Sequence, residues 1–285
     1  MDNKIIILRI LLFLLICTSC QQEDPVLGEN AAVNYIDESY GSDPRQKMDI
    51  YLPANRSSTS TKVLVWIHGG AWADGNKSEF AGFKPWLEAV QEDFAYVSLN
   101  YRLFDFNNNR NGFPSQEEDI QAAMRHIQSK LTSWNVSNQV VLAGGSAGGH
   151  LALLHSYKHN ADGLVKAVVA FFPPTDMAAL YSHSFLTQLL LPGLLGGTPS
   201  GIPEVYRNSS PVEFVSASSI PTVFFHGTVD TVVPISQSQL LEAALVKANV
   251  RHEREYIPNQ GHGFDESTNK RLIKKMADFL RENVR

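Results

Sequence analysis

Apolar residues recur along the chain in two alternating forms. Val63-Leu64-Val65-Trp66-Ile67 is apolar throughout, as a strand covered on both faces of a parallel sheet must be. Phe94–Leu99, Val140–Ala143, Val165–Phe172 and Thr222–Phe225 repeat that character. Lys47–Leu52 and Val250–Ile257 alternate polar with apolar, which predicts half-buried strands near a sheet edge. Val33–Ile36 is expected to join Lys47–Leu52 through a turn at Gly41-Ser42-Asp43-Pro44. Between these runs, Ser78–Gln91, Gln116–Leu131, Ala147–Tyr157, Ser236–Lys247 and Glu266–Arg281 space their apolar residues three and four apart, which predicts helices. Phe80, Phe83, Trp86 and Leu87 mark the stripe of the first. Ser115 is expected to cap the second, with Glu118 three residues later completing a capping box.

Strands alternating with helices imply βαβ crossovers. The expected fold is therefore α/β: a mostly parallel central sheet of about eight strands, with helices on both faces. Ligands bind at the carboxyl ends of strands in such sheets, so the loops that follow the strands are where chemistry is sought.

One of these loops carries Gly144-Gly145-Ser146-Ala147-Gly148, directly after Val140–Ala143 and directly before a helix. A strand–turn–helix with G-x-S-x-G presents its serine on a sharp turn, and the flanking glycines leave room for neighbouring backbone. The helix N-terminus points its free N–H groups toward that serine. A serine hydroxyl needs a base to take its proton, and the base needs a third group to orient it. Asp230 follows Thr222–Phe225 in His226-Gly227-Thr228-Val229-Asp230, and His262 stands between two glycines after Val250–Ile257. The order Ser146, Asp230, His262 suits a nucleophile, an acid and a base at one rim. His226 is a rival base and Asp176 a rival acid. His150 and His155 lie on the helix after Ser146 and are expected to point away. His68-Gly69-Gly70-Ala71-Trp72 follows the strand Val63–Ile67. Its glycines would let backbone N–H groups approach a developing oxyanion. The expected donors are Gly69, Gly70 and Ala147, with His68 bracing the loop.

Composition narrows the partners. With 44% apolar and 19% charged residues the chain can bury a large core. Its net charge of −5 comes without a long basic run, so nucleic acid is not an expected partner. No metal-ligand spacing such as H-E-x-x-H and no phosphate-cradling glycine motif occurs, and serine chemistry of this kind requires neither metal nor cofactor. At the N-terminus, Lys4 and Arg9 precede an apolar run from Ile10 to Cys17 that ends in Thr18, Ser19 and Cys20. This is the layout of an export signal, too short to span a bilayer comfortably. Residues 1–19 are expected to be removed and residues 20–32 to form a polar tether. Cys17 and Cys20 are the only cysteines, so the domain from 33 to 285 would carry no disulfide.

The residues quoted make the chain resemble the α/β-hydrolase superfamily over nearly all of 33–285. It is most similar to an esterase branch that includes feruloyl- and acetylxylan-esterase-like enzymes and the kynurenine formamidases. The His68–Trp72 motif matches H-G-G-x-W, and Asn100-Tyr101-Arg102-Leu103 resembles that branch's N-Y-R-L. Phe113-Pro114 with Asp119 resembles the entry to its next helix. Gly145-Ser146-Ala147-Gly148-Gly149 resembles its elbow, and the Asp230 and His262 loops resemble its acid and base loops. Ala71 stands where lipase-like relatives have a third glycine. The resemblance implies a serine esterase acting on small-molecule or carbohydrate esters through a Ser146–His262–Asp230 triad, with an amidase, formamidase or small peptidase of the same fold as the alternative. Residues 177–208 read as an insertion with an apolar stretch at Phe185–Leu195. It would form either a small helical lid over the pocket or a segment that only packs on the core. Trp72, Tyr101, Phe104, Tyr181 and Phe264 are candidates to line that pocket. Thr18-Ser19-Cys20 resembles the lipobox of bacterial lipoproteins, which implies lipidation at Cys20 and a periplasmic or cell-surface site; an ordinary secretory signal is the other reading.

Overall fold

A computed structural model describes residues 31–91 and 93–284. The export segment, Cys20 and most of the tether lie outside the described residues. Eight strands form one sheet in the order β1-β2-β4-β3-β5-β6-β7-β8. They are β1 (Val33–Ser39), β2 (Lys47–Leu52), β3 (Lys62–Ile67), β4 (Phe94–Leu99), β5 (Val140–Gly145), β6 (Val165–Phe171), β7 (Thr222–Gly227) and β8 (His252–Ile257). β2 pairs antiparallel with both β1 and β4, and every other pairing is parallel. The helices are α1 (Lys84–Glu88), α2 (Ser115–Lys130), α3 (Ala147–Lys158), α4 (Met177–Tyr181), α5 (Phe185–Leu195), α6 (Pro203–Asn208), α7 (Ser236–Lys247) and α8 (Glu266–Asn283).

The burial pattern follows the sequence pattern. Every residue of β4 and β7 is buried, and β3 and β5 are nearly so. β8 closes the sheet and is only half buried, with its outward Arg254 paired to Glu242 of α7 and its Glu255 to Lys275 of α8. Two apolar clusters lie on opposite faces of the sheet. The larger holds Ile50, Val65 and Leu142 with Ile120, Leu151 and Leu241 of α2, α3 and α7. The smaller holds Trp66, Tyr96 and Phe171 with Leu87 of α1 and Ile273, Met276 and Phe279 of α8. Each fully buried side chain of this kind contributes about 1.5–3 kcal/mol.

Local expectations fail at three places. The helix expected over Ser78–Gln91 is a 3-10 turn, Lys77–Gly82, followed by the short α1. Its capping box is built by Asn76 and Glu79, and Pro85 starts a new turn where it has no N–H to continue the old one. Ser115 is the first residue of α2 and not its cap. The N–H of Glu118 donates to Pro114 O, and its carboxylate pairs with Arg102, so no capping box forms. Val250 lies before β8, with its N–H on Leu245 O.

The segment 177–208 folds as α4, α5 and α6. It buries Leu191, Leu194, Leu195 and Tyr206 in the larger cluster and leaves Phe185, Leu186 and Leu189 exposed.

Candidate active site

The carboxyl ends of β3, β5, β6, β7 and β8 deliver five loops to one rim. Ser146 joins β5 to α3 with φ 54° and ψ −124°, a conformation that costs an L-residue strain and recurs at functional turns. The turn closes because the flanking glycines have no side chains. A Cβ at Gly148 would lie 2.1 Å from Ile67 O, and one at Gly144 would lie 2.5 Å from the Gly148 carbonyl carbon. The N–H of Ser146 donates to Phe171 O at 2.9 Å, which ties the elbow to the end of β6.

His262 sits between Ser146 and Asp230. Its Nε2 is 2.9 Å from Ser146 Oγ and its Nδ1 is 2.7 Å from Asp230 Oδ2. The carboxylate accepts a proton only from the Nδ1 side, so Nδ1 carries the hydrogen and Nε2 offers its lone pair to the serine hydroxyl. Asp230 Oδ1 accepts the N–H groups of Val232 and Val233 at 2.9 and 3.0 Å. Burial alone would raise the Asp230 carboxyl. Hydrogen bonds from His226 and His262 and from the Val233 N–H outweigh it and hold the group well below the usual carboxylate range.

The rivals are placed elsewhere. His226 is fully buried, with Nε2 donating to Val233 O at 2.8 Å, Nδ1 2.7 Å from Ser238 Oγ, and Nε2 3.4 Å from Asp230 Oδ2. It supports the acid from behind. Asp176 caps α4 by accepting the Ala179 N–H. His150 points away from Ser146, as expected, and makes a contact that sequence does not reveal. Trp72 Nε1 donates to its Nδ1 at 3.1 Å, and its Nε2 donates to Ser209 O at 2.7 Å. This ties the loop after β3 to α3 and to the end of the 177–208 segment. His155 is buried on α3.

The loop after β3 lies against the elbow. A Cβ on Gly69 would come within 3.4 Å of Ser146 Cβ, and Gly69, Gly70 and Ala71 line the cleft together with Ser146 and His262. Gly70, Ala71 and Trp72 all have positive φ, and the turn they form closes with the N–H groups of Ala73 and Asp74 on Gly70 O. Ala147 begins α3, and its N–H has no partner carbonyl within the helix. His68 braces the loop. Its Nδ1 donates to Gly69 O at 2.8 Å, its Nε2 is 3.4 Å from Arg45 Nη2, and its ring stacks on Tyr101 with centroids 4.3 Å apart. Tyr101 OH donates to His68 O at 3.0 Å. Burial pushes the His68 imidazole down to about 4, so it stays neutral.

The chain belongs to the BD-FAE family. The family's profile matches residues 48–245, a span that contains the loop after β3, the elbow and Asp230 but stops short of His262. The chain is 30% identical over 219 residues to the probable carboxylic ester hydrolase LipM of Mycobacterium tuberculosis, a match covering 71% of this chain and 49% of LipM. It is 25% identical over 264 residues to esterase LipC of the same organism, covering 86% of this chain and 64% of LipC. It thus spans 49% to 64% of the length of these curated relatives. Among solved structures it is similar to a truncated carbohydrate esterase from gut microbiota, with a TM-score of 0.74, 25% identity, and 90% of this chain and 98% of that one covered. The fold is the α/β-hydrolase fold.

Within the matched span, the N-Y-R-L residues also act as braces. Arg102 grips Asp119 with Nε at 2.9 and 3.0 Å from its two oxygens and Nη2 at 2.7 Å from Oδ1. Of the aromatics expected to line the pocket, Trp72, Tyr101 and Phe104 are core residues, Tyr181 packs on Tyr206, and Phe264 faces a neighbouring cavity. The cleft at Ser146 is walled instead by Trp66, Phe83 and Phe172, with Asp74, Glu79 and Val232 toward its open side. No residue of 177–208 lines it, and the segment meets the rim through His183 Nε2, which donates to Thr231 O. Among the described residues no cluster of His, Cys, Asp and Glu could hold a metal ion, and no helix is long and apolar enough to cross a membrane.

Proposed function

We propose that this chain hydrolyses carboxylic esters by acyl transfer through Ser146, with acylated carbohydrate as its substrate. The observation that carries the reading is the His262 ring, bonded to Ser146 Oγ on one side and Asp230 Oδ2 on the other. Ser146 Oγ attacks the ester carbonyl carbon while His262 Nε2 takes the hydroxyl proton. Asp230 holds the tautomer and balances the charge of the imidazolium. The carbonyl oxygen, now negative, receives N–H groups from Gly69, Gly70 and Ala147. The C–O bond to the alcohol breaks as His262 returns the proton to it. Water, deprotonated by the same nitrogen, then attacks the acyl-enzyme and releases the acid and the free serine. The names of LipC, LipM and the gut carbohydrate esterase support an ester substrate, and the last supports a sugar as its alcohol.

The decisive measurement is release of p-nitrophenol from p-nitrophenyl acetate by purified protein and by Ser146→Ala. Equal rates from the two would end the proposal. Esters and anilides sharing one acyl group separate an esterase from an amidase, and acetylated xylan tests the carbohydrate. We also propose that Cys20 carries a lipid that anchors the enzyme to a bacterial membrane on its periplasmic or outer side. Thr18-Ser19-Cys20 supports this, and loss of radiolabelled palmitate from Cys20→Ala is the expected result.

A further inference from the structure

Behind the cleft lies a second cavity of about 200 Å³. It is walled by Trp66 of β3 and Phe171 of β6 on the sheet side, and on the other by Phe83 and Leu87 at α1 and Ile273 and Met276 of α8. Trp66, Phe83, Gly145 and Phe172 belong to both cavities. Its lining includes Gly145 and Gly263, the chain neighbours of Ser146 and His262.

Phe172 stands where the two cavities meet, since it lines both. Its φ of 39° is rare for a bulky residue, and its N–H is fixed to Phe225 O at 2.7 Å. The ring is packed on three sides. A Cβ on Gly145 would lie 3.4 Å from it, and its centroid is 4.6 Å from that of His262 and 5.4 Å from that of Phe264. The ring therefore forms a partition between the reactive serine and the apolar chamber.

We propose that this chamber receives the acyl chain of the substrate, that the chain is an apolar one longer than acetyl, and that Phe172 sets its length. The inference rests on the ester-hydrolase reading above. Two contrasts assign the chamber to the acyl side. The chamber is smaller than a pocket for a whole ligand, roughly 300–1,000 Å³, so it holds a substituent and not the full ester. Its walls are almost entirely hydrocarbon, and Asn269, which carries hydrogen-bonding groups, already gives its Nδ2 to Phe264 O. Sugar hydroxyls placed there would lack partners. The open side of the cleft carries the carboxylates of Asp74 and Glu79, which can accept hydrogen bonds from hydroxyls, so the alcohol belongs there. Met276 and Ile273 form the far wall, on α8 and almost fully buried, and they should set how deep a chain can enter.

The test compares kcat/KM on p-nitrophenyl hexanoate and acetate. Filling the chamber with Met276→Trp should lower the hexanoate-to-acetate ratio by about tenfold or more, the scale on which apolar pockets discriminate between chain lengths. Opening the partition with Phe172→Ala should raise the ratio severalfold. Ile273→Phe replaces Met276→Trp if the latter fails to fold, as judged by its melting temperature. A ratio within about twofold of wild type in a folded filled variant overturns the proposal. Binding separates this result from failure of the ester reading. Calorimetry with hexanoate and Ser146→Ala requires no turnover. Binding that is weakened in the Ser146→Ala, Met276→Trp double variant would uphold the chamber even if no ester were cleaved, and binding indifferent to Met276 would reject it.

Discussion

The loops after β3 and after β8 look alike in sequence, since each sets a histidine beside glycine at the end of a parallel strand. Their histidines have opposite fates. His68 is buried, stacked on Tyr101, bonded at both ring nitrogens and held neutral. His262 is partly exposed and aligned between a hydroxyl and a carboxylate. The first ring spends its hydrogen bonds on the backbone of its own loop and on a guanidinium, and so fixes where the loop's N–H groups point. The second places its lone pair on Ser146. The neighbours on adjacent strands decide which role a histidine takes.

Removing the partner of the His262 loop tests this contrast most severely. Ser146→Ala should lower kcat by about a million-fold with the fold intact, measured as p-nitrophenol release beside an unchanged circular dichroism spectrum. Asp230→Asn keeps the shape but favours the wrong tautomer of His262, and a loss of about ten-thousandfold in kcat is expected. A loss below tenfold would mean that Asp230 does not orient the ring. On the other loop, a Cβ at Gly70 would lie 2.2 Å from Asp74 O at a φ of 97°. Gly70→Ala should therefore displace the N–H groups and cost about a hundred- to a thousandfold, mainly in kcat. An unchanged kcat would remove the loop from the reaction.

The mildest test is acid. Burial holds His68, His150 and His155 near 4, against an ordinary 6.5. Between those values the unfolded chain takes protons that the folded chain refuses, so stability falls as pH drops. The contribution is fully present above 6.5 and is lost as pH falls toward 4. Urea midpoints at pH 7, 5.5 and 4 should decline accordingly, and a flat series would show that these rings are solvated.

The sheet is legible in sequence because strands buried on both faces must be mostly apolar, and β3 to β7 are, with few polar residues among them. Ser146 and Asp230 are legible because each follows such a strand in a short loop, and His262 because it follows the half-buried β8 on the same rim. What sequence hid was contact between distant residues. Nothing near Trp72 says that its indole meets His150, nor that His150 reaches Ser209. The wall of the cleft was misjudged for a similar reason. Tyr101 and Phe104 follow a strand, as Phe172 does, yet they turn inward, and the positive φ of residue 172 accompanies a ring that lines the cleft. The start of α2 was misplaced because Glu118 has a stronger partner in Arg102 than in a cap at Ser115.

The Trp72–His150–Ser209 tie bears on how the protein breathes. It fastens a loop, the helix behind the elbow and the end of an insertion, segments that lie far apart along the chain. If one member lets go, two buried polar groups lose their partners, so partial opening is penalised and the three should open together. Deuterium should therefore enter the amides of residues 69–73, 148–152 and 206–210 at matched rates, and His150→Leu should speed exchange in all three stretches while leaving β8 as slow as before.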